Sequence, residues 1–251
     1  MARLDLSGVD LTKLTDEEID AIENGTFFKK LKEVDTSRDY SIIVDMSGSM
    51  GCTDSTTGGK TRWKAAEEAI ELLVPAAIKC DPDGITLYFF DSSFEKFENV
   101  KSLEDVRTKF KSRGPRGSTA LHKVLADAVL EDGAPPVTVF GGGGGGGAVD
   151  HPVPSKPRKP ETILIITDGS PDSKKDVEDV IINATKLMQS DNDLSITFVQ
   201  VGNDSGVDSW MQTLDDGLKA KGAKFDIVDV IGISQTKGMS FADIIAKSIA
   251  D

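Results

Sequence analysis

Arg38-Asp-Tyr-Ser-Ile-Ile-Val-Asp-Met-Ser-Gly-Ser-Met50 decides how the rest of the chain is read. Within it, Ser41-Ile-Ile-Val44 predicts a buried strand. The strand runs into Asp45, after which Asp45, Ser47 and Ser49 set one carboxylate and two hydroxyls at alternate positions, with Gly48 permitting a tight turn. Outward from this stretch, apolar runs alternate with helical patterns. Strands are predicted at Ile85 to Phe90, Thr162 to Ile166, Leu194 to Val201 and Phe225 to Val230. Between and after them, helices are predicted at Lys64 to Lys79, Ser102 to Lys111, Thr119 to Glu131, Lys174 to Ser190, Val207 to Lys221 and Ser240 to Ala250. Pro75 predicts a kink in the first of these. Phe94 to Val100 alternates apolar with charged residues straight after a strand, the pattern of a hairpin return and an exposed edge. The fold class expected is α/β and Rossmann-like: a doubly wound, mostly parallel central sheet with one antiparallel edge strand and helices on both faces.

Length and composition bound what such a sheet can serve. The chain has 251 residues, of which 38% are hydrophobic and 28% charged, enough for one large domain with a real core. Its 42 acidic residues outnumber 29 basic ones, for a net charge of −13, which argues against a nucleic-acid binder. The apolar runs fall far short of the roughly 20 residues that span a bilayer, so no membrane association is expected. Met1-Ala-Arg-Leu-Asp-Leu6 has no apolar signal core, and the two cysteines, Cys52 and Cys80, cannot build a disulfide framework or a four-ligand zinc site. The expectation is a cytoplasmic protein with reduced thiols.

Two regions leave the alternating rhythm. Residues 1–37 form an acidic extension in which Thr15 and Glu18 make a capping box for a short helix. Residues 133–160 hold paired prolines, seven consecutive glycines and prolines interleaved with Lys156, Arg158 and Lys159, the composition of a disordered insertion. The remainder of 38–251 is one domain, and the insertion is expected to be anchored at the pole of the sheet away from Asp45.

Loops at the carboxyl ends of parallel strands collect ligands. Hard divalent cations take oxygen donors, and one carboxylate with two hydroxyls is a partial set. Equivalent loops add Thr119, where a helix is expected to begin, and Asp168, which follows the strand Thr162 to Ile166 and precedes Gly169. Asp45, Ser47, Ser49, Thr119 and Asp168 resemble, in order and placement, the metal-ion-dependent adhesion site of the von Willebrand factor type A (VWA) family. The resemblance covers roughly Asp39 to Ala250. Gly59-Lys-Thr-Arg-Trp63, Cys80-Asp-Pro-Asp-Gly-Ile-Thr86 and Glu161-Thr-Ile-Leu-Ile-Ile-Thr-Asp-Gly169 make it closer to the intracellular bacterial and cyanobacterial branch, which includes proteins associated with tellurium resistance. It implies direct ligation by Ser47 and Ser49. Thr119 would bind directly or through water according to state, and Asp45 and Asp168 directly or through water. The cation expected is Mg²⁺, with Mn²⁺ or Ca²⁺ as alternatives, and its last position would take an Asp or Glu of a partner protein.

Other motifs are weaker. Gly58-Gly59-Lys60-Thr61 resembles the end of a phosphate loop, but position 54 is Asp where the pattern needs Gly. A phosphoryl-transfer site of the haloacid-dehalogenase type needs a second Asp where Ser47 stands. His122 and His151, the two histidines, have no readable nucleophile partner. Arg113 and Arg116 are candidates for flanking the metal and attracting an acidic side chain. No catalytic set is complete, so the expectation is an interaction module without enzymatic activity. The competing functions are a Mg²⁺-dependent phosphatase or ATPase using the same loops, and a docking subunit of a chelatase- or ATPase-type complex.

Overall fold

The computed structural model describes residues 38–53, 55, 57–129, 159–169, 171–202 and 205–233. The extension over 1–37, the insertion up to residue 158, His151 and the closing helix expected at Ser240 to Ala250 lie outside them. Six strands form one sheet: β1 (Asp39–Asp45), β2 (Ile85–Phe90), β3 (Phe94–Val100), β4 (Glu161–Thr167), β5 (Leu194–Gln200) and β6 (Val228–Gly232). Their spatial order is β3-β2-β1-β4-β5-β6. All neighbours pair in parallel except β2 and β3, which form the antiparallel edge. Charged Glu95, Lys96 and Glu98 on β3 suit a strand whose outer edge is unpaired.

Strand residues alternate between two cores. Tyr40, Ile42 and Val44 of β1 join Leu164 and Ile166 of β4 on one face, and Ile43, Ile163 and Ile165 lie on the other. Helices α1 (Arg62–Cys80) and α2 (Leu103–Lys111) cover the first face, through Ala66, Ile70, Val74, Val106 and Phe110. Helices α3 (Leu121–Val129), α4 (Lys174–Leu187) and α5 (Ser205–Asp216) cover the second, through Leu125, Ile181 and Leu214. Burial on both faces explains why β1, β4 and β5 are near-continuous apolar runs. The architecture is the doubly wound α/β layout expected.

Several boundaries differ from expectation, each for a local reason. α1 begins two residues before and ends one residue after the expected Lys64 to Lys79, with Pro75 inside it. The helix expected from Thr119 starts at Leu121, because the Thr119 and Ala120 N–H groups donate to Asp172 and to the Asp91 carbonyl. Ser190 does not extend α4; it forms a capping box with Asp193 over a short 3₁₀ turn. The helix expected to reach Lys221 ends at Asp216, and a separate 3₁₀ turn at Lys219–Lys221 closes on Gly222 at φ 107°. β6 is displaced toward the chain end because Val228 to Gly232 are the residues opposite Ile196 to Gln200.

The strand order places a topological switch between β1 and β4, where the chain's path across the sheet reverses. Crevices at such points, outside the carboxyl ends of the strands, are where open α/β sheets bind ligands. Asp45 ends β1 and Asp168 follows β4 at that switch.

Candidate metal centre

The first loop of the site is built by Asp45 and the turn after it. Asp45 is fully buried, and its Oδ1 accepts the Ser47 N–H at 2.7 Å. This bond folds residues 45–47 back and leads into a 3₁₀ turn over Gly48–Gly51. Ser47 stands at the cap position of that turn, but its side chain makes no capping bond. Its Oγ lies 3.1 Å from Oγ of Ser49 instead. The two hydroxyls therefore converge, as a pair of neutral oxygen donors to one cation requires.

β4 supplies the second carboxylate. Val44 is opposite Ile166, so Asp45 continues alongside Thr167. The Thr167 hydroxyl donates to Asp45 Oδ2 at 2.6 Å and accepts the Gly169 N–H at 3.0 Å. Asp168, also buried, accepts a hydrogen bond from Arg62 Nη1 at 3.1 Å. Burial, the largest cause, pushes the Asp45 carboxyl up to about 6. The bonds from Ser47 and Thr167 oppose the rise, and the negative charge of Asp168 adds to it. A cation between these two strand ends would offset the part of the rise that Asp168 causes.

Thr119 enters on a third loop. The Gly48 N–H donates to the Gly117 carbonyl at 3.2 Å, and the Arg116 N–H to the Met46 carbonyl at 2.7 Å, joining this loop to the first. Gly117 has φ 69°, and an added Cβ would lie 3.0 Å from Ser92 Oγ. Asp172 then fixes Thr119: its Oδ1 accepts the Thr119 N–H at 2.9 Å, while its own N–H donates to the Thr119 carbonyl at 2.9 Å. The Thr119 N–H is the main cause holding the Asp172 carboxyl below its ordinary value.

The five residues singled out in the sequence thus lie on three loops at strand ends; the Thr167–Asp45 bond links the first loop to the second, and two backbone bonds link the first to the third. Thr167, Arg62 and Asp172 complete the arrangement and were not singled out. Arg113 and Arg116, the candidate flanking cations, are each paired with a carboxylate, and Arg116 lies on the third loop itself. Arg113 pairs with Glu95, and Arg116 Nε donates to Asp91 at 3.1 Å. Lys60, the lysine of the apparent phosphate loop, pairs with Glu68 of α1, and Thr61 caps that helix. Cys52 is exposed and Cys80 buried, both as free thiols.

A separate acidic group lies at the opposite pole. Asp39, Asp81 and Asp83 each bring a carboxylate oxygen within 4.8 Å of the others, a spacing compatible with a divalent cation. In the structure the Lys159 ammonium spans Asp39 and Asp83, at 3.0 and 2.6 Å. That contact ties the residues leading into β4 to the pole away from Asp45.

No protein family matches the chain, and no curated protein matches it. The PilB minor pilin from Streptococcus sanguinis, a solved structure, is similar with a TM-score of 0.52 at 12% identity, over 84% of this chain and 61% of the pilin. The likeness is one of fold. An aspartate-to-alanine variant of that pilin gives 0.51 at 14% identity with the same coverage. This chain therefore spans less than two thirds of the pilin's length. The manganese-loaded TRAP protein of Plasmodium vivax gives 0.44 at 16% identity, over 82% of this chain and 72% of that one. Among the described residues, no helix is long and apolar enough to cross a membrane.

Proposed function

We propose that the chain is a divalent-cation-dependent protein-recognition module of the VWA kind. The observation that carries the reading is the turn after β1. Ser47 stands where a serine ordinarily caps, yet its hydroxyl meets that of Ser49 at 3.1 Å, beside a buried carboxylate. Ser47 and Ser49 would ligate the cation through their hydroxyl oxygens, with Thr119 as a third ligand. Asp45 and Asp168 would act through water, since Asp45 already accepts bonds on both oxygens and Asp168 is held by Arg62. Mg²⁺ suits neutral hydroxyls with retained water; Mn²⁺ is the close substitute and Ca²⁺ the larger alternative. When bound, the cation supplies a positive centre for an Asp or Glu of a partner protein. The module acts by binding and has no enzymatic activity of its own.

Thermal unfolding with and without Mg²⁺ tests this reading. Mg²⁺ should raise the melting temperature of the wild-type chain, and chelator should reverse the rise. The rise should vanish in Asp45→Ala/Ser47→Ala. Steady turnover of ATP or a generic phosphate ester, lost in the same variant, would replace the binding reading with an enzymatic one.

A further inference from the structure

We infer that Asp172 is a positioning residue of the metal centre: it clamps the backbone of Thr119 to the loop that carries Asp168, so that the Thr119 hydroxyl is in place before a cation arrives. The inference rests on the metal-binding reading and adds to it what holds the ligand supplied by the third loop.

The two residues are 53 positions apart and are joined twice. Asp172 Oδ1 accepts the Thr119 N–H at 2.9 Å, and the Asp172 N–H donates to the Thr119 carbonyl at 2.9 Å. The second carboxylate oxygen, Oδ2, accepts the Ser118 hydroxyl at 2.8 Å. The loop between β2 and β3 holds the same turn: the Ser118 N–H donates to Ser92 Oγ at 3.2 Å, and the Ala120 N–H to the Asp91 carbonyl at 2.8 Å. The bonds from Asp172 to Thr119 go to its backbone, so they fix the residue without using its hydroxyl. Asp172 is in turn set by α4, because it precedes Ser173, whose side chain accepts the Asp176 N–H and caps that helix. α3 and α4 share the second core, so the clamp joins two packed elements.

Asp172 lies four positions beyond Asp168, on the loop that leaves β4. A shift of Thr119 away from that loop would have to break both of its bonds to Asp172, so the third-loop ligand and the second carboxylate are set by one piece of chain. Residues that orient a metal's ligands act through that placement, and their loss lowers metal affinity although they never touch the ion. Asp172 also carries a negative charge. The Thr119 N–H is the main cause holding its carboxyl below the ordinary value, with the Ser118 hydroxyl, His122 and Lys123 adding to the effect. Such a charge attracts a cation wherever Thr119 stands, so geometry and charge have to be separated by experiment.

The test is a double-variant cycle on the full chain, read by calorimetric Mn²⁺ titration, with melting temperatures in chelator reporting folding separately. Asp172→Ala should weaken Mn²⁺ binding by about 10–100-fold. Asp172→Asn keeps an oxygen for the Thr119 N–H and drops the charge, and should bind Mn²⁺ nearly as the wild type does. Thr119→Val removes the hydroxyl and keeps the backbone that Asp172 holds. In that background Asp172→Ala should cost no further Mn²⁺ affinity, because the ligand it positions is gone. If Asp172→Ala does not fold, Asp172→Glu takes its place: it keeps the charge, moves the oxygens one carbon outward, and should also weaken Mn²⁺ binding. A merely structural role lowers the melting temperature and leaves the Mn²⁺ affinity of the folded chain unchanged. That result, an equal loss in Asp172→Ala and Asp172→Asn, or a loss that persists in full in Thr119→Val, would overturn the inference while leaving the metal site standing. Wild-type Mn²⁺ binding that survives Ser47→Ala/Ser49→Ala, or no Mn²⁺ binding by the wild type, would overturn the metal-binding reading as well.

Discussion

The Thr167 hydroxyl donates to Oδ2 of Asp45 at 2.6 Å, joining the ends of two adjacent parallel strands across 122 positions of sequence. The bond couples the sheet's register to the candidate metal loop, because Asp45 can present its remaining lone pairs only from the position Thr167 sets.

Thr167→Val removes that donor at nearly constant volume. It leaves a buried carboxylate oxygen without its partner and the Gly169 N–H without its acceptor. The expected cost is about 1–3 kcal/mol in chemical denaturation, with weaker metal binding in parallel. A variant as stable as the wild type would show that water takes over both bonds.

Gly117→Ala should destabilise the chain more than Gly58→Ala. Both glycines have positive φ, 69° and 66°, so both substitutions incur backbone strain of about 1 kcal/mol. Only at Gly117 does the new Cβ meet neighbours, at 3.0 Å from Ser92 Oγ and 3.1 Å from Asp91 Cβ, while nothing lies within 4 Å at Gly58. Gly117 also holds the Gly48 N–H, so its variant should lose metal affinity and Gly58→Ala should not. Equal stability and equal metal affinity in the two variants would contradict this ordering.

At the far pole, Asp81→Asn should stabilise the protein at neutral pH. Burial pushes the Asp81 carboxyl up to about 6, from an ordinary 3.8. The folded chain therefore holds this proton more tightly than the unfolded one, and the associated stability is present below the ordinary value and lost as pH rises through 6. Asparagine removes that loss while keeping an oxygen for the Tyr40 N–H, which Asp81 accepts at 3.0 Å. The gain should be about 1 kcal/mol near pH 7, after allowing for solvent beside the group, and should vanish below about pH 4. Denaturation midpoints across that range check it; a gain that persists at low pH would rule out titration as its source.

What the sequence made legible was what is local. Alternation of apolar runs with helical patterns gave the strands and their types, since burial on both faces leaves Ser41 to Val44 and Thr162 to Ile166 no other reading. Asp45, Ser47 and Ser49 were visible because five consecutive residues hold them, and Thr119 and Asp168 because each lies at the edge of a recognisable element. Thr167 was quoted only as a flank of Asp168; its role appears only when the register sets it beside Asp45. Arg62 was invisible as a site residue because it depends on a detour that closes at Cys52. Asp172 needed the contact between two loops, which also explains why the helix begins at Leu121 and not Thr119.

Calorimetric titration of Mg²⁺, Mn²⁺ and Ca²⁺ into the wild-type chain and into Ser47→Ala/Ser49→Ala addresses the central claim most directly. Both serines lie outside the two hydrophobic cores, so the variant is expected to stay folded. The account predicts one saturable site in the wild type and its loss in the folded variant. Undiminished binding in that variant, or no binding in the wild type, would contradict it.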